Sequence, residues 1–152
     1  MFEVLVFMFE NYLTHHALPK HEVMEQELSA AGFDSPDIAG AFDWFDAMQS
    51  MLSETELHNA PQPNSLRMFT AAELKKISLE SLSFVLFLQQ ANVLNYAEVD
   101  LIIDRAMALE QNLVSIEEMR WITMIALWNE GREQDYLFVE DALFNPRGLT
   151  IH

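Results

Sequence analysis

PKHEVMEQELSAAGFDSPDIAGAFDWFDAMQSML, residues 19–52, decides the fold. Pro19 opens a helix whose apolar stripe is Val23, Met24, Leu28 and Ala31, and Gly32 stands where a helix-ending glycine belongs. Ser35 before Pro36 starts the next helix, which runs to about Leu52. At 100° per residue Ile38, Phe42, Phe45 and Leu52 share one arc, while Ala39, Asp43, Asp46 and Ser50 point the other way. Trp44 lies on the flank with Met51, where it either roofs the core or meets a partner. Helix, tight turn and helix is the order of a DNA-reading motif, yet no lysine or arginine occurs between Lys20 and Arg67. Nine acids fill that interval: Glu22, Glu25, Glu27, Asp34, Asp37, Asp43, Asp46, Glu54 and Glu56. A recognition helix meets phosphates before bases, and basic side chains supply most of that attraction. Motif order and charge therefore point in opposite directions.

The rest of the chain reads as helices. An apolar first helix spans about Phe2 to Thr14, with Val4, Leu5, Met8, Phe9 and Tyr12 on one broad face. Residues 53–69 are irregular: Asn59 to Asn64 form a turn, and Leu66-Arg67-Met68-Phe69 is a candidate short strand, which would complete a winged-helix order. Thr70 with Glu73, Asn95 with Glu98 and Ser115 with Glu118 have the spacing of capping boxes, each opening a helix. A break is expected near Ser78. From Leu79 to Val93 apolar residues cover every face, which predicts a central buried helix. The helix to about Glu130 is apolar almost all round and carries Trp121 and Trp128, Gly131 stops it, and a last helix spans about Glu133 to Phe144. The fold class is all-α: a winged-helix-like N-terminal lobe (1–70) packed on a C-terminal helical lobe (71–152), with a core shared through the first helix and Leu82–Leu88.

Composition narrows the functions. The 152 residues are enough for one domain and hold no cysteine, which excludes disulfides, thiolate nucleophiles and cysteine-ligated metals. Net charge is −16, with residues 1–66 at −10 and residues 67–152 at −6. Nucleic acid and anionic membranes are poor partners for such a chain, and a basic protein surface is a better one. The apolar start contains Glu3 and Glu10 and has no basic flank or small-residue cleavage site. No apolar run approaches the roughly 18 residues of a membrane span. A soluble, cytoplasmic protein is expected.

Met1-Phe2-Glu3-Val4-Leu5 with Phe9-Glu10-Asn11-Tyr12, then Ala31-Gly32-Phe33-Asp34 with Asp37-Ile38 and Ala41, resemble the Smg family of small bacterial proteins. The similarity continues through Leu66-Arg67-Met68-Phe69-Thr70 with Glu73, Phe87-Leu88 with Val93-Leu94-Asn95, and Arg105-Ala106-Met107-Ala108-Leu109. It spans nearly the whole chain in one colinear order. The resemblance implies no catalytic motif or ligand. It does imply a genomic setting among DNA-uptake, topoisomerase and translation genes.

No constellation points to catalysis. His15, His16 and His21 have no His-x-x-x-His or Glu-x-x-His spacing that would place two metal ligands on one helix face. With 24 acids, carboxylate pairs such as Asp100/Asp104 arise by chance, and glutamates in first turns complement helix dipoles. Four scattered glycines build no phosphate loop, and no Gly-x-Ser-x-Gly occurs. No enzyme, metal or cofactor is expected. The leading reading is a non-catalytic adaptor or regulator whose acidic helix face, Asp43, Asp46 and Ser50 with Trp44 beside them, docks a basic protein surface. The alternative is a nucleic-acid-binding winged helix that uses Arg67, Lys75 and Lys76.

Overall fold

Helix starts are where local chemistry is least ambiguous, and three of them organise the second half of the chain. In the computed structural model, which describes residues 1–54 and 68–144, Thr70, Asn95 and Ser115 each cap a helix. Their side chains accept from the N–H three residues on, and Glu73, Glu98 and Glu118 reach back to the cap N–H. Each box satisfies two N–H groups that a helix start leaves without an intrahelical partner. The helices they open are α4 (Ala71–Lys76), α6 (Tyr96–Met107) and α7 (Ile116–Asn129). Ser78 accepts from the Ser81 N–H and opens α5 (Leu79–Gln90) after the expected break. Gly131, at φ +72°, ends the chain's path out of α7, and α8 follows (Glu133–Phe144).

The first half begins with α1 (Phe2–Asn11), shorter than expected because residues Leu13–His15 tighten into a 3-10 turn. The helix–turn–helix is present as α2 (His21–Ala30) and α3 (Ser35–Glu54). Gly32 has φ +102° in the turn, a conformation that costs a side chain with a Cβ. The start of α3 differs from expectation by one residue. The Ile38 N–H donates to the Asp34 carbonyl at 3.0 Å, so Ser35 is already helical.

The fold class is all-α. Among the described residues the β structure is one parallel bridge, Ile77 to Val114, with Val114 N–H donating to the Lys76 carbonyl at 2.8 Å. Met68 and Phe69 form no strand, and the remainder of the expected turn and strand, Asn59 to Arg67, lies outside the described residues.

One hydrophobic core draws on the helices of both halves, including Leu5, Met8, Phe45, Met48, Ile102, Ile125 and Tyr136. α1 packs on α3 and α7, and α6 packs on α3, α5 and α7. Trp121 and Trp128 are half-buried and meet Phe9 edge to face at 5.5 and 5.0 Å, so this pair belongs to the core packing of α1 against α7.

α5 departs from expectation. Leu82, Phe84, Val85 and Leu88 are buried, but Leu79 is 78% and Phe87 44% exposed. α6 and α7 cover one side of this helix. An apolar sequence with no periodicity did not reveal which side that would be.

Candidate functional site

The exposed side of the long helix α3 is as expected, with Ala39, Asp43, Asp46 and Ser50 exposed. Of the expected apolar arc, Ile38 and Phe45 are buried and Phe42 and Leu52 half-buried, while Ala41 and Met48 complete the buried side. The neighbouring α2 adds exposed Glu22, Glu25 and Glu27. His21, at the start of α2, stacks on Phe42 with ring centroids 4.8 Å apart, and its Nε2 lies 3.6 Å from the Asp46 Oδ1. Tyr12 donates to Glu27 from beneath this face. Burial, followed by that bond and the charge of Glu27, raises the phenol to about 12.

Trp44 does not belong to the exposed face. It is 3% exposed, and its Nε1 donates to the Arg105 carbonyl at 2.9 Å. Arg105 returns the contact by donating to the Trp44 carbonyl at 3.1 Å, with its guanidinium 5.6 Å from the ring centroid. This reciprocal clasp joins α3 to α6 across a sequence separation of 61 residues. Of the two places left open for Trp44, the core is the one it occupies, because burying the indole gives its N–H a partner.

Two of the three basic residues of the nucleic-acid reading lie within the described residues. Lys75 is exposed. Lys76 turns inward, and its Nζ donates to the carbonyls of Met107, at 2.8 Å, and Leu109. Those carbonyls lie at the end of α6, where helices leave acceptors without intrahelical partners. Arg67 lies outside the described residues.

Among the described residues, Arg120 and Arg132 are similarly engaged. Arg120 bridges Glu117, at 3.0 Å, and Glu140. Above them the buried Tyr136 phenol is pushed up, by burial first and then by the charge of Glu140. Arg132 donates to Glu98 and to the Val93 carbonyl, and lies 3.6 Å from the Glu130 Oε2 and 3.3 Å from the Asp135 Oδ2.

The Glu98–Glu130–Arg132 cluster is the polar arrangement that sequence reasoning missed. Glu98, the capping-box glutamate of α6, is 5% exposed. Glu130 stands at the C-cap of α7 and shares with Glu98 a narrow apolar recess walled by Leu52, Leu94, Leu101 and Leu127. Burial, then a hydrogen bond and the charge of Glu98, raise the Glu130 carboxyl to about 8, and Arg132 offsets part of that. The protonated form of Glu130 is thereby favoured beside Glu98, and one cation serves two carboxyl groups. Glu98, Glu130 and Arg132 thereby join α6, α7 and the turn before α8. Its only sequence signal was Glu130-Gly131-Arg132 at a helix stop.

Among the described residues no group of three or more histidine, aspartate or glutamate side chains has the geometry to hold a metal ion, and no helix is long and apolar enough to cross a membrane.

A family model described as "Protein of unknown function (DUF494)" matches residues 1–152. "Protein Smg homolog" of Methylobacillus flagellatus is 52% identical to this chain over 152 residues, covering all of both. The proteins of the same name from Leptothrix cholodnii and Alkalilimnicola ehrlichii are 35% and 36% identical, covering all of this chain and 100% and 98% of their own. No solved structure matches. Full-length similarity at these identities, together with the family model, establishes that the chain belongs to the Smg family.

Proposed function

We propose that this protein is a non-catalytic cytoplasmic adaptor or regulator that docks a basic protein surface on the acidic α2–α3 face. The observation that carries this reading is the distribution of charge. Lys76, Arg105, Arg120 and Arg132 are each engaged with acceptors inside the fold. Asp43 and Asp46 on α3, and Glu22 and Glu25 on α2, remain exposed. A face of this sign attracts cationic partners and repels phosphates, most strongly at low salt. Exposed Ser50 supplies a neutral hydrogen-bonding group on the same helix. In this reading α2 and α3 keep the layout of a winged-helix-like lobe (1–70), adapted to protein contact and set on the helical lobe (71–152). An action close to DNA-processing or translation machinery follows from the family resemblance.

Affinity capture from cytoplasmic extract tests the proposal. Wild-type protein retains one or more basic partners, and Asp43→Lys/Asp46→Lys loses them while its helical circular dichroism is unchanged. Retention of every partner by that variant contradicts the proposal. A gel shift with duplex DNA below about 100 mM salt, abolished by raising the salt, favours nucleic-acid binding in its place.

A further inference from the structure

Between the C-terminal half of α5 and the first turns of α8 an apolar groove stays open. Its α5 wall is Phe87, Ala91 and Val93, its α8 wall is Phe138 and Val139, and Asp135 stands at its edge. Phe84 and Tyr136 meet edge to face at 6.5 Å between the same two helices, one turn before Phe87 and Val139, so ring packing fixes the separation of the walls. Arg132 donates to the Val93 carbonyl and holds the turn that forms one end. The groove is thus pre-organised, which lowers the cost of filling it.

Among the described residues nothing covers its lip. Phe138 is 77% exposed, and Phe87 and Leu137 are exposed as well. Single apolar side chains in water need no explanation, but two rings facing across one recess mark a contact surface. Asp135 and Asp141 lie three residues to either side of Phe138 and are exposed, with Asp135 also holding Arg132. Among the described residues no lysine or arginine lines the groove.

We infer that this groove receives the apolar face of a basic amphipathic helix from a partner protein. Phe87 and Phe138 are the aromatic anchors, and Asp135 at the groove's edge faces the lysine or arginine residues flanking the helix's apolar stripe. Charge selects the occupant. A second copy would bring another chain of net charge −16 against an acid-rimmed groove, whereas a cationic helix is attracted to it. The groove is distinct from the α3 face, and the inference does not rest on the adaptor reading.

The test uses the full chain and a fluorescent helical peptide of about 20 residues. The peptide carries leucine and phenylalanine on one face and lysine on the others, and anisotropy is read at about 150 mM salt. Wild-type protein binds it. Phe87→Ser/Phe138→Ser weakens binding about tenfold or more, as does shuffling the peptide to abolish its apolar face. Phe138→Ser alone, at a position mostly in water, gives a smaller loss in the same direction and serves if the double variant unfolds. Asp43→Lys/Asp46→Lys changes the affinity by less than about twofold, because that face is a separate site.

Four results overturn the inference: no binding to wild type; equal binding by the serine variants or by the shuffled peptide; a loss with Asp43→Lys/Asp46→Lys as large as with the serine pair; or a wild-type dimer in sedimentation that Phe138→Ser converts to monomer. A chain ending at residue 144 that binds the peptide about tenfold more tightly would also overturn it, by assigning the groove to the chain's own last residues.

Discussion

The α2–α3 face and the corner where α6, α7 and α8 meet treat acidic residues in opposite ways. At the corner, Glu98, Glu130, Glu140 and Asp135 lie close to Arg120 or Arg132. On the α2–α3 face, Glu22, Glu25, Asp43 and Asp46 stand in water with His21 as the neighbouring titratable base. Charges removed from water require partners, whereas charges left in water do not. A chain with 8 bases and 24 acids that engages Arg105, Arg120 and Arg132 within the fold keeps an excess of acids for its surface. The sign of the surface is thus partly a consequence of how the core is joined.

The comparison breaks most readily at Arg132. Arg132→Ala removes the cation between Glu98 and Glu130 and frees the turn at Val93, and is expected to cost about 3 kcal/mol in urea unfolding. A cost below about 1 kcal/mol, typical of an exposed ion pair, would show that the corner is not a structural joint.

The adjacent lysines sharpen it next. Lys76→Met abandons two carbonyls at the end of α6 and should destabilise by about 2 kcal/mol, whereas Lys75→Met should stay within about 0.5 kcal/mol. Equal effects would mean that Lys76 is as solvated as its neighbour.

A separate effect is expected in the pH dependence. Glu130 keeps its proton in the fold to about pH 8, whereas the unfolded chain releases it near 4.5. Its contribution is therefore most favourable below pH 4.5 and declines as the pH rises through that window. Glu130→Gln should flatten the fall of stability between pH 4.5 and 8 relative to wild type. An unchanged slope in thermal unfolding would contradict the proton assigned to this carboxyl. Least of all, Asp43→Lys/Asp46→Lys should alter stability by no more than about 0.5 kcal/mol, since both carboxylates are solvated.

What was legible in the sequence follows the range of the interactions. Thr70, Asn95 and Ser115 with glutamate three residues on identify helix starts because a capping box closes within four residues. Gly32 and Gly131 mark turns because their positive φ is a local requirement. The arc of α3 was readable because it alternates buried and exposed positions. α5 lacks such alternation, so Phe87 looked buried although it lines an open groove. The partners of Lys76 lie more than thirty residues away, and Glu98, Glu130 and Arg132 meet only after three helices have packed. Trp44 was ambiguous for a related reason: its acceptor is a carbonyl on α6 that only the fold brings near.

The account turns on where the negative charge lies, beyond how much there is. The direct measurement is capture of basic partners by Asp43→Lys/Asp46→Lys beside a charge-matched control, Glu80→Lys/Glu110→Lys, which reverses two exposed glutamates in the second half of the chain. Loss of partners by the first variant and retention by the second is the predicted result. Equal loss by both, or retention by both, would contradict a docking role for the α2–α3 face.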